Sequence, residues 1–174
     1  MFYRLSCFAL VVGLAVSGCS KSTTSASTTA APPKFTATLS PANEVPAITN
    51  ADSTGSGVAT ITLNVTKDSA GNITAATADF AVTLTGFTAG TTLTGAHIHP
   101  GAAGTTGSVI VNTTLASGEV VLANGAGGIN KTSIAISDPA VAQAIINTPS
   151  AYYFNVHTSL NTGGAIRAQL VRAN

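Results

Sequence analysis

The chain has few of the side chains on which most enzyme and nucleic-acid chemistry depends. Among its 174 residues are two cysteines, three histidines and no tryptophan, and charged residues make up only 7%. Cys7 and Cys19 both lie near the N-terminus, so residues 35–174 offer no thiol for a disulfide, an iron–sulfur cluster or a Cys-ligated zinc. The formal net charge is +1 and the cations are scattered, so no nucleic-acid partner is expected.

The N-terminus has the pattern of an export signal. Arg4 precedes the apolar run Phe8–Val16, which is shorter than the ~20 residues of a membrane-spanning helix. The segment Val16–Cys19 resembles a bacterial lipobox, which implies cleavage before Cys19 and attachment of lipid to its thiol. We therefore expect a signal peptide over residues 1–18, lipid at Cys19, and a flexible Ser/Thr-rich tether over residues 19–34.

The expected location follows from this signal. A lipid-anchored protein of the bacterial cell envelope, on the periplasmic side or at the cell surface, has the membrane as a partner through its anchor. The alternative is an ordinary secretory signal in which the cysteine is incidental.

The remaining residues, 35–174, are enough for one domain with a hydrophobic core. Short alternating segments rich in Thr, Val and Ile are separated by clusters of Gly, Asn and Asp, a pattern typical of all-β proteins. We predict an antiparallel β-sandwich or Greek-key barrel with one short helix. Asp138 caps that helix, Pro139 opens it and Thr148-Pro149 stops it. The predicted strands are 35–39, 58–65, 73–87, 93–99, 109–111, 119–122, 129–136, 152–158 and 165–171.

All three histidines fall in two of these strands. Because side chains alternate along a strand, His97 and His99 share one face, and the apolar positions Phe154 and Val156 place His157 opposite the core. If the two strands are neighbours, three imidazoles meet on the outer surface of one sheet. Imidazole is a good ligand for copper or zinc, so we predict a metal site that loses its ion as the pH falls towards ~6. The alternatives are a structural hydrogen-bonding role or no role.

Three separate motifs resemble the hallmarks of the CHRD family, the module named after chordin. They are LSPANEVP at residues 39–46, AHIHPGAAG at residues 96–104 and FNVHTSLNTGGAIRAQL at residues 154–170. The resemblance extends over nearly all of residues 35–174 and implies an exported domain. It says little about function.

A second resemblance bears on chemistry. The His97-Ile-His99 motif, the later Val-His157 and the near-terminal Arg167 occur in the same order in copper-zinc superoxide dismutases, which are Greek-key β-barrels. This similarity implies that the three histidines are copper ligands and that Arg167, on the same outer side as His157, guides anions. No fourth histidine exists to complete that enzyme's copper site, but cuprous ion accepts three nitrogen ligands.

Two further residues are candidates for the surroundings of the metal. Asn43 and Glu44 could orient a ligand histidine from a second shell, or could simply pin their loop by hydrogen bonds. The sequence therefore predicts an envelope lipoprotein that binds one copper ion, for copper handling or redox protection. The alternatives are a non-catalytic module that binds an envelope protein or glycan, and a copper-only enzyme similar to superoxide dismutase.

Overall fold

The computed structural model describes residues 31–173, which form an antiparallel β-sandwich with one α-helix. The predicted signal peptide and most of the predicted tether lie outside the described residues. The strands are β1 Lys34–Leu39, β2 Ser56–Lys67, β3 Ile73–Thr85, β4 Thr91–Pro100, β5 Val111–Asn112, β6 Val121–Leu122, β7 Gly127–Ile136, β8 Tyr152–Thr158, β9 Ile166–Gln169 and β10 Val171–Ala173. The helix α1 spans Pro139–Asn147.

Two sheets make up the sandwich. One has the strand order β10-β1-β2-β3-β7, and the other has the order β5-β4-β8-β9, with β6 also paired to β4. The sheets face each other across a core to which both contribute apolar side chains. Phe80 of β3 and Phe154 of β8 stack there with ring centroids 5.7 Å apart. The predicted all-β sandwich is therefore confirmed.

The long strands follow from alternation in the sequence. In β2, Ala59, Ile61 and Leu63 are buried, whereas the threonines between them are partly exposed. The turn at residues 68–72 returns the chain into β3, as predicted, and Asp68 accepts hydrogen bonds from the backbone N–H groups of Ala70 and Asn72. The helix has its predicted cap, because the Asp138 carboxylate accepts from the N–H of Ala140.

Most observed strands differ from the predicted ones by one or two residues at an end, and three predicted segments differ more in form. The segments at 109–111 and 119–122 form only the short strands β5 and β6. The last predicted strand, 165–171, is divided at Leu170, because the chain leaves one sheet there and joins β1 of the other as β10. The two sheets also meet at an isolated antiparallel bridge between Ser40 and Arg167.

Candidate metal centre

The three histidines lie on one face of the adjacent strands β4 and β8. Antiparallel register places Gly95 opposite His157, His97 opposite Asn155, and His99 opposite Tyr153. We call this side of the strand pair the histidine face. The opposite side, the core face, carries Ala96, Ile98, Phe154 and Val156, all fully buried. The prediction from strand parity, that the histidines share a face away from the core, is confirmed.

The three rings are close enough to share an ion. One ligand nitrogen from each of His97, His99 and His157 can be chosen so that all three lie within 4.8 Å of one another, and His97 Nδ1 is 3.0 Å from His157 Nε2. A trigonal ion with bonds of about 2.0 Å places its ligand nitrogens roughly 3.5 Å apart. The pair at 3.0 Å would therefore widen slightly and the longest separation would shorten by about 1 Å for the three rings to share one ion. Within residues 31–173, this is the one group of three such side chains that could hold a metal.

Backbone carbonyls fix the orientation of two of the rings. His99 Nδ1 is 2.9 Å from the carbonyl oxygen of Gly107, and His157 Nδ1 is 2.9 Å from that of Thr162. A carbonyl only accepts hydrogen bonds, so each Nδ1 carries the proton and each Nε2 keeps its lone pair. His99 Nε2 is buried and has no hydrogen-bond partner among the described residues. This is the arrangement in which an outer hydrogen bond aims a ligand nitrogen at a metal.

His97 completes the set through its other nitrogen. Because His157 Nε2 holds a lone pair, the 3.0 Å contact is a hydrogen bond from His97 Nδ1–H to that nitrogen. A metal ion bound between the two rings would replace this proton, which can move to His97 Nε2. The nitrogens available to hold a metal would then be Nδ1 of His97 with Nε2 of His99 and His157.

Gly95 allows the position of the His97 ring. A Cβ atom at residue 95 would lie 3.0 Å from His97 Cε1 and 3.3 Å from His97 Nε2. The ring therefore folds back over a backbone that carries no side chain, which leaves Nδ1 facing His157. A larger residue at position 95 would push this ring away.

The surroundings keep the histidines neutral. Burial, with the charges of His157 and His99 as smaller causes, lowers the pKa of His97 to about 4. Burial is also the largest cause that lowers the pKa of His99 and of His157, and repulsion by Arg167 adds to it at His99. Neutral imidazole is the form that binds metals, so the site is ready to coordinate at neutral pH.

The histidine face is covered, which corrects the prediction of an exposed outer surface. His99 is 7% and His157 9% exposed, and only His97 is partly open to solvent. The loops 40–55, 101–110 and 159–165 fold over this side of the sheet and supply the carbonyls of Gly107 and Thr162. Strand alternation shows which side a residue takes, but it does not show what packs on that side.

Arg167 lies on the predicted side of β9, opposite Asn155, yet it is only 2% exposed. Its Nε donates to the carbonyl of Asn43 at 2.6 Å and its Nη1 to the carbonyl of Thr105 at 2.9 Å. The guanidinium carbon lies 4.4 Å from the centre of the Tyr153 ring. Arg167 thus joins two covering loops to the sheet, a position poorly suited to guiding anions from solvent.

Asn43 and Glu44 have partners other than the histidines. Asn43 Nδ2 donates to the carbonyl of Arg167 at 3.0 Å, which closes a reciprocal pair with the bond from Arg167. Glu44 is buried and accepts from Asn155 Nδ2 at 3.3 Å. Burial raises the pKa of Glu44 to about 7, although Arg167 opposes the rise. The predicted second-shell contact to a histidine is thus not seen, because backbone carbonyls take that place.

Two features of this region were missed from the sequence. Tyr153 stacks on His99 with ring centroids 4.9 Å apart and planes inclined by 4°. Strand parity puts both residues on one face, and this is the signal that could have found the contact. Asp52 is 1% exposed and accepts from Thr158 and Asn161, both at 2.6 Å, so it fastens the loop 40–55 beside His157. No local pattern distinguishes Asp52 from the other polar residues of its loop.

No helix among residues 31–173 is both long and apolar enough to cross a membrane. Comparison with known proteins gives one result. A family model described as CHRD domain matches residues 35–170, which include all three histidines and every strand except β10, while no curated protein and no solved structure matches the chain. The match extends over well more than half of the sequence, and the chain belongs to the CHRD domain family.

Proposed function

We propose that this protein binds one copper ion through His97, His99 and His157 and serves in copper handling or redox protection in the bacterial envelope. The observation that carries the proposal is the convergence of three neutral imidazoles, two of them aimed by backbone carbonyls, with a buried Nε2 that has no partner among the described residues. A buried nitrogen without a hydrogen-bond partner is unfavourable, and coordination to an ion would supply the missing partner.

The donor set favours copper over harder cations. Three imidazole nitrogens without a carboxylate suit soft or borderline ions, whereas calcium and magnesium require oxygen ligands. Cuprous ion is satisfied by three nitrogens. Zinc would need a fourth ligand, such as water on the side of His97 that solvent reaches. Zinc is therefore the competing ion in the test.

The experiment is a titration of the tag-free protein with cuprous ion in competition with a chelator. The triple variant His97→Ala/His99→Ala/His157→Ala has no histidine left, and the chain's one methionine is Met1, so this variant is a clean control. Carrying Cys19→Ser in both proteins removes the other soft ligand. We expect at least a hundredfold loss of affinity in the triple variant. Equal affinities would mean that the histidines only brace the sheet, and the protein would then be better explained as a non-catalytic module for an envelope protein or glycan.

The lipid anchor is a separate part of the proposal. It is supported by the lipobox-like Val16–Cys19 and by the tether-like composition that follows. Cys19→Ser should abolish both acyl labelling and membrane fractionation, with Cys7→Ser as the matched control. Unchanged labelling of the Cys19 variant would refute the proposed anchor, and the proposed copper site would be unaffected.

The enzyme alternative is less well supported. A superoxide dismutase needs anions to reach the metal, and the arginine expected to guide them is buried and bound to two carbonyls. The copper-loaded protein should remove superoxide no faster than a control protein carrying equal copper. Faster removal of superoxide would support the alternative that the protein is an enzyme.

A further inference from the structure

Two contacts to the Tyr153 ring connect Arg167 with a ligand of the proposed copper site. Arg167 lies over one side of Tyr153 at 4.4 Å, and His99 stacks on Tyr153 at 4.9 Å with nearly parallel planes. The sum of these two spacings places the positive charge of Arg167 within roughly 10 Å of a ligand ring, at a fixed position. The space between them is filled by protein rather than water.

This charge is only weakly compensated. The guanidinium donates two hydrogen bonds to neutral carbonyls, and its Nη2 has no partner among the described residues. The ion pair found within residues 31–173 joins Lys131 to Glu119 and does not involve Arg167. The carboxyl that interacts with Arg167 is Glu44, and burial keeps Glu44 partly protonated near neutral pH.

We propose that Arg167, acting across Tyr153, is a positioning residue whose fixed positive charge raises the reduction potential of copper bound by the three histidines. The site therefore favours cuprous over cupric ion. The inference rests on the proposed copper function. The effect concerns the relative affinities for the two ions, each bound by the same neutral imidazoles, so it requires no electron, proton or bond change in the protein. A fixed cation disfavours the doubly charged ion more than the singly charged one.

The size of the effect can be estimated. One unit charge at roughly 10 Å, in a medium of effective dielectric constant about 20, changes the relative stability of the two copper ions by about tenfold. For a one-electron couple a tenfold change corresponds to about 59 mV. Loss of Arg167 also removes the charge that opposes the rise in the pKa of Glu44, so Glu44 becomes less ionised and offsets part of this change.

The test compares the affinities for cuprous and cupric ion in the full chain and in Arg167→Gln. We expect the ratio of cuprous to cupric affinity to fall by about tenfold in Arg167→Gln and to stay within threefold of wild type in Arg167→Lys, which keeps the charge. Arg172→Gln is the matched control, because Arg172 also lies over an aromatic ring, that of Phe35 at 5.4 Å, but in the other sheet. Its ratio should not change.

The outcomes separate the two proposals. If wild type binds cuprous ion no better than the triple-alanine variant, the copper function fails. If wild type binds cuprous ion and a folded Arg167→Gln keeps the wild-type ratio within twofold, the inference about Arg167 is overturned. Should Arg167→Gln not fold, Arg167→Met keeps apolar contact with Tyr153 and takes its place. If neither folds, the ratio in wild type is compared with that of copper in imidazole solution, and a wild-type ratio no higher than that in imidazole overturns the inference.

Discussion

The two faces of the strand pair β4 and β8 are both buried, but by different means. On the core face, Ile98, Phe154 and Val156 pack against the opposite sheet and are 0% exposed. On the histidine face, His99 and Asn155 are 7% and 3% exposed, under loops that bind them through carbonyls and a carboxyl group. One face is held by apolar packing and the other by a polar network.

This difference separates stability from chemistry within a single sheet. Apolar packing stabilises in proportion to the area removed from water and tolerates no polar group without a partner. A polar network can leave one nitrogen free for a ligand, because each of the other polar atoms in the network has its own hydrogen-bond partner. The core face should therefore determine whether the protein folds, and the histidine face should determine what it binds.

The largest expected effect tests this separation directly. Phe154→Ala should lower the free energy of unfolding by about 3–5 kcal/mol, because it leaves a cavity beside Phe80. His99→Ala should lower it by only about 1–2 kcal/mol, through loss of one hydrogen bond and one ring stack. Denaturant unfolding in the presence of a chelator measures both values.

Cuprous binding should show the opposite order. A folded Phe154→Ala protein should keep its copper affinity within tenfold, whereas His99→Ala should lose at least a hundredfold. Equal destabilisation by the two changes would contradict the proposed division between the faces.

The second prediction uses pH on the metal-free protein. The pKa of His97 is about 4 in the folded state against about 6.5 when unfolded, so the unfolded chain takes up a proton first as the pH falls from 6.5 to 4. The contribution of His97 to stability is therefore complete above pH 6.5 and is lost towards pH 4, with His99 and His157 acting in the same direction. Bound copper should also persist below the pH of ~6 expected for histidines of ordinary pKa.

Glu44 should oppose this trend. Its pKa is raised to about 7, so as the pH rises from 4.5 to 7 the unfolded chain loses its proton first and stability falls. Glu44→Gln removes this loss of stability. Between pH 4 and pH 8, the free energy of unfolding of the variant should therefore rise by on the order of 2 kcal/mol relative to that of wild type. Unfolding curves at several pH values measure the difference. Parallel pH profiles for the two proteins would show that Glu44 is not buried as described.

The third prediction concerns Gly95. Gly95→Ala should weaken cuprous binding by roughly tenfold or more, since the added methyl group displaces the His97 ring while β4 remains intact. Chelator competition measures the loss. Ala96→Gly, one residue further on the core face, is the control and should reduce stability with little effect on affinity.

The smallest expected effect lies at the start of α1, which packs on β3 and β7. Asp138→Ala removes the cap of α1 and should lower the free energy of unfolding by about 1 kcal/mol. Copper affinity should be unchanged. A change in affinity here would mean that general loss of stability accounts for the effects of the other variants as well.

Most of the fold could be predicted because the pattern of alternation is local. Ala59, Ile61 and Leu63 mark the inner side of β2 without reference to any other strand, and Asp138-Pro139 marks the start of the helix. The short strands β5 and β6 could not be bounded, because two-residue pairings depend on their neighbours in space. The same is true of the break at Leu170, where the chain changes sheets.

The ligand set of the candidate site could also be predicted from the sequence. Parity placed His97, His99 and His157 on one face, and only their pairing as neighbours had to be supplied by the fold. The loops that cover the site were not accessible. The carbonyls of Gly107 and Thr162 act through the backbone, which any residue supplies, so no side-chain pattern could identify them.

The strand β1 also fixes how the domain can be presented on a surface. Its first residue, Lys34, pairs with Ala173, while Ser40 just beyond its last residue pairs with Arg167 beside the histidine face. Six strand residues separate the two positions by about 20 Å. A bead or reporter protein joined directly beside Lys34 or Ala173 would therefore lie at the far end of β1 from Ser40. A single attachment chemistry at either end should thus leave His97 open to molecules arriving from solution.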